Sequence, residues 1–128
     1  MFYEIKTKKA PIPIGPYVQG IDLGNIIITS GQIPIDPITG MIHNQISKQT
    51  RQTLDNVKAI IETAGLQVKN IVKTTIFLKN INDIDTVNSI YELFFIENQS
   101  KFPARSCVEV SKLPKGALIE IEAIAMRF

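Results

Sequence analysis

The chain has one cysteine, one histidine, no tryptophan and three arginines in 128 residues. A lone cysteine allows no intrachain disulfide, which excludes a small scaffold stapled by bridges. His43 and Cys107 stand far apart, with no ligand spacing around either, so a zinc site is not expected. A single histidine also provides no pair for acid–base cleavage of RNA, and a serine–histidine–aspartate site would have to use His43, which reads as a loop residue. No apolar run reaches the length of a membrane span. The first residues, Met1-Phe2-Tyr3-Glu4-Ile5-Lys6, lack a basic segment leading into an apolar stretch, so no secretory signal is expected and the cytoplasm is the simplest compartment. Net charge is +2 with the signs interspersed. That argues against an extended nucleic-acid surface, which clusters lysine and arginine.

What is present is a globular composition, 45% apolar and 20% charged, long enough for one domain over residues 1–128. Residues 2–7 read as a first strand. Pro11, Pro13 and Pro16 keep 8–16 out of helix. Strand character resumes at 17–23. Gly24-Asn25 marks a hairpin turn into Ile26–Thr29, whose two faces are both apolar, as in a central strand. This strand ends at Ser30-Gly31-Gln32, where a glycine allows close approach by a ligand or another backbone. Ile46, Thr50, Leu54, Val57, Ile60, Ile61 and Ala64 recur at helical spacing, with Asn44 or Ser47 as caps and Gly65 at the C′ position. Ile71–Leu78 reads as a strand. Asn82-Asp83 is expected to cap a second helix reaching Phe95, with Ile84, Val87, Tyr91 and Phe94 on its stripe and Asn88 either bridging or exposed. Strands at 102–110 and 118–126 follow, joined through Leu113-Pro114.

The segment Phe102–Val110 carries the chemistry. Alternation puts Ala104, Ser106, Val108 and Val110 on one face and Arg105, Cys107 and Glu109 on the other. The chain writes lysine eleven times, so an arginine in a strand stands out. Its planar fork suits a carboxylate or phosphate better than an ammonium does. Two roles are open for Arg105: a ligand anchor, or a structural ion pair with Glu109, Glu120 or Glu122. If Val108, Val110, Ile119 and Ile121 face the helices, then Arg105, Cys107, Glu120 and Glu122 share the opposite face. A slip of one residue would bury Glu120 beside Val108 at high cost. This register predicts a closing hairpin that presents an arginine and a carboxylate on one surface, and a partner subunit over that surface.

Gly15-Pro16-Tyr17, Ser30-Gly31-Gln32-Ile33-Pro34, Asn56-Val57-Lys58, Val72-Lys73-Thr74-Thr75, Pro103–Val110 and Ile119–Ala125 occur in this order over nearly the whole chain. Together they resemble the RidA/YjgF family of enamine/imine deaminases, and its archetypal branch in carrying Arg105. The resemblance implies an α+β, chorismate-mutase-like fold, a mixed six-stranded sheet with two helices packed on one face. It also implies a homotrimer with ligand sites between subunits, and hydrolysis of short 2-imino acids (2-iminopropanoate, 2-iminobutanoate) to 2-oxo acids and ammonia, with no metal or organic cofactor. Under it, Arg105 clamps the substrate carboxylate, Tyr17, Ser30 and Gly31 line the pocket, and Cys107 acts through its backbone and small size. Glu120 either positions the attacking water or forms a salt bridge to Arg105. Val18-Gln19-Gly20 departs from the family's usual serine, glutamine and alanine, and no role is carried onto Val18.

Overall fold

The computed structural model describes residues 1–128. Its elements are β1 (Tyr3–Ile5), β2 (Gly20–Asp22), β3 (Ile26–Thr29), α1 (Ile46–Thr63), β4 (Ile71–Leu78), α2 (Ile84–Glu97), β5 (Ala104–Glu109) and β6 (Ile119–Met126). They build one six-stranded sheet in the order β1-β2-β3-β6-β4-β5. Every neighbouring pair is antiparallel except β4 and β5.

Local chemistry explains the boundaries. Gly24 adopts φ +98°, which closes the Leu23–Asn25 turn between β2 and β3 at no steric cost. Helix α1 ends on Gly65 at φ +84°. There the Gly65 N–H donates to the Glu62 carbonyl (2.9 Å) and the Leu66 N–H to the Ile61 carbonyl (3.2 Å), a Schellman stop. Neither Asn44 nor Ser47 caps its start. Gln45 occupies the cap position without a side-chain bond, and the buried Gln49 ties the turn instead, donating to the His43 carbonyl (2.7 Å) and accepting from the Leu118 N–H (2.8 Å). At α2 the capping oxygen belongs to Asn80, which accepts from the Asn82 N–H, and a short 3-10 turn over 81–83 precedes the helix.

Both helices cover the same face of the sheet. Leu54, Val57, Ile60 and Ile61 of α1 and Val87, Phe94 and Phe95 of α2 are at most 1% exposed. They meet Ile76, Ile119, Ile121 and Ala123 in one cluster of 21 buried residues. Burying each large aliphatic or aromatic side chain of this kind contributes about 1.5–3 kcal/mol.

The expected closing hairpin does not form. β4 lies between β5 and β6, pairing Thr74 with Arg105 on one side and with Ala123 on the other. Directly opposed residues share a face. Arg105 and Cys107 therefore join Thr74, Ile76, Ile121 and Ala123 on the helix face. Ser106 and Val108 lie with Thr75, Phe77, Glu120 and Glu122 on the open face. The physical reason is the connection. β5 follows β4 through α2, and a helical crossover delivers a parallel neighbour, so β4 sets the phase of the alternation. Val108, read as a core residue, is exposed, and so are Ile28, Ile124 and Met126 on the same open face.

Candidate active site

The residues singled out from the sequence fall into two clusters on opposite faces of the sheet. The first is built on the ends of β3 and β6. Gln32 and Ile121 exchange backbone hydrogen bonds (2.8 and 3.0 Å), which sets Gly31 against Glu120. A Cβ at Gly31 would lie 2.5 Å from Glu120 Oε2. The missing side chain thus makes room for the carboxylate, a more specific use than the close approach expected from the sequence. Ser30 donates its hydroxyl to the Val18 carbonyl (2.5 Å), and its N–H bonds the Gln19 carbonyl. Residue 18 enters this cluster through its backbone. Buried Gln19 holds the proline segment in place, donating to the carbonyls of Thr7, Ala10 and Pro11 and accepting from the Thr7 N–H. Tyr17 sits at the end of that segment, its hydroxyl accepting from the Ile14 N–H (3.1 Å). Ile14, Tyr17, Ser30, Gly31, Pro114 and Glu120 enclose an open cleft of about 320 Å³.

Glu120 is half-buried and makes no hydrogen bond or ion pair within the chain. Burial, and secondly the neighbouring Glu122 carboxylate, push its pKa up. The sign follows: the protein is favoured below the ordinary carboxylate value near 4.5, and that contribution is lost as pH rises through Glu120's raised value. Glu122→Gln removes the second cause. We expect the Glu120 midpoint, followed by carboxyl-carbon NMR, to move to lower pH in that variant; an unmoved midpoint would leave burial as the whole cause.

The second cluster lies on the helix face. Arg105 donates Nη1–H to Asn88 Oδ1 (2.8 Å) and lies over the Tyr91 ring, with its guanidinium carbon 5.0 Å from the centroid. Asn88, Tyr91, Glu92, Phe102, Pro103 and Arg105 line a shallow cleft of about 440 Å³. None of the carboxylates considered for a structural ion pair reaches Arg105: Glu120 and Glu122 lie on the far face, and Glu109 accepts from the Ile81 N–H (3.0 Å). A salt bridge between Glu120 and Arg105 of one chain is thereby excluded. Cys107 follows two residues along the same face and packs against the core. Burial raises its pKa, with Arg105 opposing, so the thiol stays protonated. From sequence, Asn88 is open between bridging and exposed, and Tyr91 belongs to the apolar stripe of α2. Their three-residue spacing on α2 is the signal that joins them. His43 is exposed before α1, and no group of three or more histidine, cysteine or acidic side chains is arranged to hold a metal.

Residues 7–127 match the family model described as endoribonuclease L-PSP. The 2-iminobutanoate/2-iminopropanoate deaminases of Salmonella typhimurium and Escherichia coli K12 are 63% identical to this chain over 123 residues, 96% of each chain. This chain belongs to the YjgF/RidA family. The putative reactive intermediate deaminase TdcF of E. coli is 53% identical over 96% of this chain and 95% of its own. Among solved structures, the E. coli YjgF gene product superposes with a TM-score of 0.97 at 61% identity, covering 98% of this chain and 99% of that one. E. coli TdcF with bound serine superposes with a TM-score of 0.98 at 52% identity and the same coverage. The α+β architecture expected from the family resemblance, two helices on a mixed six-stranded sheet, is the one this chain has. No helix is long and apolar enough to cross a membrane.

Proposed function

We propose that this YjgF/RidA protein is a reactive-intermediate deaminase that hydrolyses short 2-imino acids, with 2-iminopropanoate and 2-iminobutanoate as substrates. The observation that carries the reading is Arg105, a guanidinium with no carboxylate partner in its own chain. The deaminase names borne by relatives 63% identical to it supply the reaction. TdcF, solved with serine bound, takes a ligand whose α-carboxylate a 2-imino acid also carries.

The two clusters cannot meet within one protomer, because the sheet separates them. In our reading the protein is a homotrimer in which Arg105 and Cys107 of one subunit complete the Tyr17–Ser30–Gly31–Glu120 cleft of the next. The apolar patch of Ile28, Ile124, Met126 and Val108 on the open face supports such assembly, since side chains of this kind gain by leaving water.

The chemistry is then simple. Arg105 holds the substrate carboxylate through two parallel N–H···O bonds. The protonated imine carbon is electrophilic, and water adds to it. Glu120 orients that water and takes its proton, forming a carbinolamine. Glu120 returns that proton to nitrogen and takes the carbinolamine hydroxyl proton as the C–N bond breaks, so ammonia leaves and the C=O of the 2-oxo acid forms. Cys107 contributes its backbone and small volume, and its protonated thiol takes no covalent part. Such a reaction clears imines released by pyridoxal-phosphate-dependent dehydratases, in the cytoplasm. The test is to generate 2-iminopropanoate with an amino-acid oxidase and trap the survivors chemically. Shortened imine lifetime with the folded protein supports the reading; an unchanged lifetime overturns it.

A further inference from the structure

Arg105 is the exposed end of a chain of contacts that begins in the core. Thr74 of β4 is 1% exposed. Its hydroxyl lies 2.6 Å from the Tyr91 hydroxyl, so one donates to the other. Tyr91 is 5% exposed, and its ring packs against Phe95 with centroids 4.7 Å apart. A tyrosine needed only to fill the core could be phenylalanine, like Phe94 and Phe95 beside it. Here the hydroxyl pins the ring, and the pinned ring presents its face to the guanidinium. Thr74 is also the β4 residue paired in register with Arg105, so the same strand position anchors both the arginine's backbone and its platform.

We propose that Tyr91, locked by Thr74, is a positioning residue for Arg105. The ring face and Asn88 together hold the guanidinium plane, and the remaining N–H groups stay free for a small carboxylate. An exposed arginine without such a platform would give up side-chain freedom on binding, which weakens affinity. The proposal rests on the deaminase reading for the identity of the ligand, while the platform itself can be read without any ligand.

The test combines three readouts on Tyr91→Leu, Tyr91→Phe, Thr74→Val and Thr74→Ser proteins. The first is the Arg105 Nε–H resonance, which a ring face shifts. The second is titration with 2-oxobutanoate. The third is the separation of KM from kcat with 2-iminopropanoate. We expect Tyr91→Leu to lose the ring-shifted resonance, to bind 2-oxobutanoate about tenfold more weakly, and to raise KM more than it lowers kcat. Thr74→Val should weaken binding by about threefold, with Thr74→Ser restoring it, since the serine keeps the hydroxyl. Tyr91→Phe keeps the platform but not its pin and should match Thr74→Val. If Tyr91→Leu does not fold, the Thr74 pair decides alone. Wild-type binding and KM in both Tyr91→Leu and Thr74→Val, or in Thr74→Val alone when Tyr91→Leu is lost, would overturn the positioning role. A wild-type protein with the shifted resonance but no effect on the imine and no affinity for 2-oxobutanoate would instead overturn the deaminase reading.

Discussion

The Arg105→Ala protein is expected to fold normally and to lose imine deamination by about 100-fold or more, the loss that follows from removing two charge-assisted hydrogen bonds to a carboxylate. Stability should change little, because the guanidinium is exposed and makes one side-chain hydrogen bond, to Asn88. Arg105→Lys should lose about tenfold or more as well. An ammonium keeps the charge but reproduces neither the two-point fork nor the guanidinium contact over the Tyr91 ring. Steady-state rates on 2-iminopropanoate, beside thermal melts of each variant, check both statements. Wild-type activity in Arg105→Ala would remove the clamp, and wild-type activity in Arg105→Lys would mean that charge alone suffices.

The second large effect is expected on the opposite face of the sheet. Even a methyl group at Gly31 would meet Glu120 Oε2 at 2.5 Å. A phenyl group there would displace the carboxylate and fill the cleft lined by Tyr17, Ser30 and Pro114. Gly31 does not have a positive φ, so the backbone accepts a side chain without strain. Gly31→Phe should therefore fold, yet lose activity by about 100-fold, since moving a positioned group by about an ångström already costs that much. Gly31→Ala should lose less, because the Glu120 side chain is free to swing. Gly31→Phe activity within a few-fold of wild type would show that the cleft beside Glu120 is not where the imine reacts.

These two residues also mark how far the sequence could be read. Helix α1 was legible because its apolar stripe, its C′ glycine and its lack of internal breakers agree. Strand β3 was legible because both its faces are apolar between a glycine turn and Ser30-Gly31. The alternation that separates Arg105 and Cys107 from Ser106 and Val108 was also correct. What alternation cannot tell is which set faces the helices. A valine normally votes for the core, but Val108 lies exposed on the open face with Ile28, Ile124 and Met126, the face that the proposed trimer would cover. Strand order is hidden in the sequence for a related reason. Sequence neighbours β5 and β6 invite a hairpin, while the helix between β4 and β5 demands a parallel pairing that inserts β4 between them. That single insertion moves Arg105 and Glu120 to opposite faces. It turns a constellation expected on one surface into two clusters on opposite faces.

The most direct test of a site shared between subunits is co-assembly of two inactive proteins. Arg105→Ala and Gly31→Phe subunits would be unfolded together, refolded at equal ratio and assayed on 2-iminopropanoate, with assembly checked by native mass spectrometry. If each site takes Arg105 from one subunit and Gly31 with Glu120 from its neighbour, random mixing leaves about one quarter of sites intact, and activity should return to about that fraction of wild type. Mixed assemblies no more active than the two parent proteins would contradict the shared site.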